Sequence, residues 1–138
     1  MRKWILVLAT ALVATPALAD KRVDDAVAKA ESMADKGRQE EAVKVVQKAA
    51  DQSNSSEGYV ALARFQQRYG TLDDAQTAAT KAVELSKAAA PEAQAEALAT
   101  LSALDLTRGT GADALQHADA AVKAAPNSAT ALAAHAAT

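Results

Sequence analysis

The stretch AEALATLSALDLTRGTGADALQHADAAVKAAPNS, residues 95–128, decides the fold. Its apolar and alanine positions recur at helical rather than alternating spacing, and Gly109 interrupts the pattern half-way. Glycine enters the left-handed conformation without strain, so Gly109 fits the end of a first helix, A. Thr110 can cap a second helix, B, with Asp113 three residues on, where a carboxylate answers free amides at the positive end of the helix dipole. Pro126-Asn127 then ends helix B. Small residues stand at Ser102 on helix A and at Ala114 and Ala121 on helix B, where two antiparallel backbones have to cross closely. Leu101, Leu115 and Val122 flank the crossings.

The same punctuation recurs twice upstream. Aligning Gly109 with Gly70 and Gly37 puts a small residue seven positions earlier each time, at Ser102, Ala63 and Ala30. Others fall five positions later, at Ala114, Ala75 and Ala42, and twelve later, at Ala121, Ala82 and Ala49. Leu62, Val43, Val46, Val83 and Leu85 supply the larger flanking residues. With further breaks near Ser53–Ser56 and Ala90-Pro91, the pattern predicts six helices of about 13 to 19 residues and a short alanine-rich helical tail. Gly37 and Gly70 are expected to be left-handed helix ends like Gly109. Thr71 with Asp74, Asn54 with Glu57, and Ser128 are the remaining caps, and Pro91 suits a first helical turn. The glycines are 33 and 39 residues apart, which predicts an insertion at Lys87–Pro91, in the linker or a longer B helix.

Three co-spaced units of this kind resemble tetratricopeptide repeats. Residues 95–128 match through Leu98, Leu101, Ser102, Gly109, Ala114, Ala121 and Pro126. Residues 56–89 match through Tyr59, Leu62, Ala63, Gly70, Leu72, Ala75 and Ala82, and residues 23–54 through Ala30, Gly37, Ala42 and Ala49. The first unit departs from the pattern at Ala26, Lys29 and Met33, and alanine replaces the usual aromatic at Ala79 and Ala118. The resemblance implies an all-α fold for residues 20–138. It would be a right-handed superhelix of about three antiparallel helix pairs with a short C-terminal helical cap. One thin pair cannot bury its apolar face, so stacking supplies each pair with a neighbour.

Alanine accounts for 39 of the 138 residues. It is the best helix former, yet each one buries little apolar area, so a thin core is expected. Upstream of Asp20, Arg2 and Lys3 precede an apolar run from Trp4 to Ala14, then Pro16 and Ala17-Leu18-Ala19. This order has the layout of a cleavable signal peptide over residues 1–19. An apolar run of about 11 residues is too short to span a bilayer, so no stable membrane span after processing is expected. The expected location is the periplasm, or outside the cell after secretion. Asp20–Thr138 carries thirteen basic and seventeen acidic side chains, a formal charge of −4 with signs interspersed. Such a surface gives no basic stripe for nucleic acid.

No catalytic constellation is legible, and the expectation is a protein that is not an enzyme. There is no Cys, and His117 and His135 stand 18 residues apart, outside zinc-site spacings, so no metal or cofactor is expected. Asp24-Asp25, Glu40-Glu41 and Asp73-Asp74 suit helix starts. His117 reads as a solvated or half-buried side chain.

The resemblance also implies that A helices line a peptide groove. The family positions fall on Asp24, Val27, Glu31 and Ala34, then on Glu57, Val60, Arg64, Gln67 and Arg68, and then on Glu96, Ala99, Ala103 and Leu106. The lysine-and-asparagine clamp of some family members is missing, because Val27, Val60, Glu31 and Arg64 occupy those positions. Arg64 and Arg68 lie one turn apart and suit a ligand carboxylate. The expected function is a non-catalytic module that binds a protein or peptide in the bacterial envelope. The alternative is a structural or assembly subunit of a larger complex, using small-apolar surface near Ala129–Ala136.

Overall fold

The glycine and capping pattern yields a chain of helices in a computed structural model that describes the backbone over Pro16–Thr138 and side chains from Lys21 onward. Its helices are α1 (Pro16–Ala34), α2 (Gln39–Ser53), α3 (Ser56–Tyr69), α4 (Leu72–Ser86), α5 (Pro91–Arg108), α6 (Gly111–Ala124) and α7 (Ala129–Ala137). There is no strand among the described residues, and the fold is all-α. Most of the expected leader, residues 1–15, lies outside the described residues, and the expected cleavage point after Ala19 falls inside the first turns of α1. No helix among the described residues is long and apolar enough to cross a membrane.

Small residues set how the helices pair. Ala30, Ala63 and Ser102 are buried, and so are Ala42, Ala75, Ala114, Ala82 and Ala121. Two hydrogen bonds fix the register within pairs. Ser102 Oγ donates to the Ala114 carbonyl at 2.8 Å, and Ser56 Oγ donates to the Ala82 carbonyl at 3.0 Å. Ser102 stands seven residues before its glycine and Ala114 five after, whereas Ser56 stands fourteen before and Ala82 twelve after. Both bonds therefore belong to one antiparallel register, repeated in the α3–α4 and α5–α6 pairs. The first pair departs from it at its far end, where α2 buries Ala42, Val46 and Ala50 and leaves Ala49 only half-buried. Leu115 is exposed rather than packed beside its crossing.

Each helix packs on the next in sequence, and α1 meets α3, α3 meets α5 and α5 meets α7. The even-numbered helices α2, α4 and α6 bring no Cα within 8 Å of one another. The chain is thus a row of odd-numbered helices carrying even-numbered ones along one side. The longer glycine interval is not due to a longer B helix, since α2 and α4 both have 15 residues. The extra length lies in the Lys87–Ala90 linker and in α5, which has 18 residues against 14 in α3.

The helix ends only partly follow the expected chemistry. Thr71 and Ser128 accept from the amides of Asp74 and Ala131, and Pro91 opens α5. The α3 cap is Ser55, which accepts from the Gly58 amide, while Asn54 closes α2 at φ 44°. Thr110 does not cap α6, because its hydroxyl instead donates to the Asp105 carbonyl at 3.1 Å. Gly37 and Gly109 are left-handed at φ 79° and 81°, but Gly70 is not, with φ −116°. Close approach explains that glycine: a Cβ there would lie 3.1 Å from the Gln66 carbonyl oxygen.

Candidate functional site

A face shared by α1, α3 and α5 follows from the row of odd-numbered helices, and it carries two adjoining hollows. The first, of about 340 Å³, lies between α1 and α3 and is lined by the apolar Val27, Ala28, Ala61 and Phe65 and the charged Asp24, Glu31, Arg64 and Arg68. The second, of about 200 Å³, reaches α5 and is lined by Val23, Asp24, Glu57, Gly58, Val60, Ala61, Arg64 and Glu96. Asp24, Ala61 and Arg64 belong to both.

The arginines of α3 reach in opposite directions. Arg68 pairs with Glu31 of α1 at 3.3 Å, and Arg64 pairs with Glu96 of α5 at 3.1 Å. The Arg68 guanidinium also lies 5.8 Å from the ring centre of Tyr69, which in turn tilts against Phe65 at 4.8 Å between centroids. The arginine side chains are 53% and 67% exposed. Ion pairs this open contribute about 0–1 kcal/mol each and can be exchanged for contacts with a ligand.

No protein-family model matches the chain. No curated protein matches it at a significant level. The resemblance to tetratricopeptide repeats therefore rests on residue spacing alone.

Glu31, Arg64 and Arg68 meet in the first hollow, and Glu57, Val60 and Arg64 in the second. Gln67 lies apart, with Nε2 donating to Thr107 of α5 at 3.3 Å. Leu106 is exposed outside both hollows. Two expected groove side chains are covered, Val60 being 3% exposed and Ala99 5%. Val60 packs with Ala82 and Ala97, because alanine on α5 lets that helix come close enough to cover it. Ala99 belongs to a cluster with Ala121 and Ala131, under α6 and α7. Neither can offer its side chain to a ligand. Ala34, a further family position, is buried as well.

The spacing pattern did not single out Asp105. It is 1% exposed, lying within a polar network on the other side of α5. His117 Nδ1 of α6 lies 2.7 Å from Asp105 Oδ2, and Gln76 Nε2 of α4 donates to Oδ1 at 3.1 Å. Arg108 completes it by donating to Gln76 Oε1 and to Asp73. The short contact between Nδ1 and the carboxylate orients the half-buried His117 ring. The network joins three helices and lines neither hollow. A signal for Asp105 existed: it follows Leu101 by four residues and Ser102 by three, on the face that both bury.

A third hollow, of about 270 Å³, separates α2 from α4 and is lined by α3 through Tyr59, Leu62 and Gln66. Gln66 is buried, and its Oε1 has no hydrogen-bond partner. Tyr59 donates to Asp51 Oδ1 at 2.6 Å, an oxygen that also accepts from Gln47 at 2.9 Å. The Asp51 bond, together with burial and the nearby charge, pushes the Tyr59 phenol up to about 12.

Proposed function

We propose that this chain is a non-catalytic interaction module that holds a protein or peptide segment along the α1–α3–α5 face, in a right-handed stack of tetratricopeptide-like pairs. The observation carrying this reading is the pair of adjoining hollows, which join an apolar lining to exposed, exchangeable charges. Concave surfaces of that composition suit side chains that need both burial and orientation. The leader-like layout of residues 1–19 supports export, with the periplasm or the cell exterior as the place of action.

Blocking the groove tests the reading. Ala61 lines both hollows, so Ala61→Trp fills them while leaving the helix-forming pattern intact. A partner that is captured by the native chain and lost with Ala61→Trp, at unchanged helicity by circular dichroism, is the expected result. A partner held equally by both chains places the binding surface elsewhere.

Exposed Leu115 on α6 and Leu132 on α7 favour a second reading, an assembly subunit that packs through its C-terminal end. Light scattering separates the two, because that subunit would self-associate or require a permanent partner. A monomer that loses no binding with Leu132→Ser removes the second reading.

A further inference from the structure

The charges of the groove favour a ligand opposite to the one its arginines alone would suggest. Four carboxylates line the two hollows, those of Asp24, Glu31, Glu57 and Glu96, against the two guanidinium groups of Arg64 and Arg68. Both guanidinium groups are already matched, to Glu96 at 3.1 Å and Glu31 at 3.3 Å. A ligand carboxylate approaching either arginine must displace the acid that holds it. Asp24 and Glu57 have no cationic partner at ion-pair distance among the described residues, and both line the second hollow. The half-buried Ala61 that the two hollows share gives the methylene stem of a long side chain an apolar place to lie while its charged head stays at the rim. The first hollow, lined by Val27 and Phe65, offers a place for an apolar neighbour.

We infer that the groove selects a peptide segment in which a lysine or arginine stands beside a large apolar residue. The basic side chain lies over the second hollow with its head between Asp24 and Glu57, and the apolar one fills the first. This inference rests on the groove reading above and assigns it a ligand chemistry. Two excess negative charges attract a cation, and the matched arginines make an acidic segment exchange one ion pair for another with little gain.

Two capped peptides test it, identical except that a central lysine flanked by leucines in one is glutamate in the other. Each is titrated into the purified chain while the backbone amide resonances of Ala28, Ala61 and Phe65 are followed by NMR. The lysine peptide should shift those amides and bind at least about tenfold more tightly, equivalent to about 1.4 kcal/mol. Replacing Asp24→Asn together with Glu57→Gln should collapse that preference. Replacing Asp113→Asn together with Glu84→Gln, the same charge change outside both hollows, should leave it intact. Equal or tighter binding of the glutamate peptide to the unmodified chain overturns the inference while leaving the groove in place, and so does a preference that survives in the Asp24/Glu57 variant. If neither peptide moves the three amides, the groove reading itself fails.

Discussion

The α3–α4 and α5–α6 pairs share one backbone register but hold it with different materials. In the first, Leu62 and Phe65 of α3 belong to one core with Ala75, Ala78 and Ala79 of α4. In the second, α6 buries only Ala114, Ala118 and Ala121, and the pair adds Asp105 and His117 at 2.7 Å. Alanine forms helices well and packs closely, yet it removes little apolar surface from water. Leucines are buried in both pairs, Leu62 on α3 and Leu98, Leu101 and Leu104 on α5, but only the first pair adds an aromatic core residue, Phe65. Since α4 and α6 alike bury little but alanine, the difference lies in Phe65 on one side and the buried Asp105–His117 contact on the other. The difference shows that register and cohesion are separate properties of a helix pair.

Truncations in the two pairs put this contrast to the test. Phe65→Ala should give the largest loss, roughly 3–5 kcal/mol, measured by urea unfolding, because it empties the aromatic part of the α3–α4 core. His117→Ala should cost about 3 kcal/mol by the same measurement, since it leaves the buried Asp105 carboxylate with Gln76 as its side-chain donor. Adding Asp105→Asn to His117→Ala should recover part of that loss, as expected for a coupled pair. A cost near zero for His117→Ala would mean that apolar packing alone holds the second pair.

The shared register is tested by overpacking. Ala75→Leu and Ala114→Leu stand at equivalent fully buried crossings, and each should cost roughly 1–3 kcal/mol in thermal or urea unfolding. A large effect in one pair and none in the other would break the equivalence. A gain is expected at Gln66→Leu, about 1 kcal/mol, because the substitution removes an acceptor buried without a partner. Stability unchanged or lowered there would show that the amide is satisfied in solution.

The smallest effect concerns the tie from α2 to the α3–α4 pair. Tyr59→Phe should cost about 0.5 kcal/mol near neutral pH, the range of a single exposed hydrogen bond. Because folding raises the Tyr59 phenol from 10.0 to about 12, its contribution is complete below pH 10 and disappears as pH rises through 12. A spectrophotometric titration in which the native chain and the Tyr59→Phe variant lose stability in parallel across that window would remove the tie.

The helices were legible because glycine, capping residues and small residues act locally. Gly109, Thr71 and Pro91 do at the level of backbone what their chemistry dictates. Side-chain exposure was less legible, since it depends on how closely neighbouring helices approach. Val60 and Ala99 occupy positions that face outward by family spacing, but small residues on α5, α6 and α7 bring backbone over them. Among the groove charges, Arg64 and Arg68 were visible as a pair one turn apart. Their matching to Glu96 and Glu31 required knowing which helices flank α3. Asp105 was missed because carboxylates on α5 read as surface, although its spacing from Leu101 and Ser102 put it on the buried face and its partners come from both α4 and α6.

The lack of backbone contact among α2, α4 and α6 has a mechanical consequence. A rod joined along one edge bends about that edge, which acts as its neutral axis. Here the row α1–α3–α5–α7 is that edge, and across the back α2 and α4 are joined only through side chains, Ala42, Val46 and Ala50 sharing a core with Ala75, Ala78 and Ala79. Strain applied by a bound segment would therefore accumulate on the side away from the groove. Bending about that row is resisted by side-chain packing on the back and by backbone contact along the front.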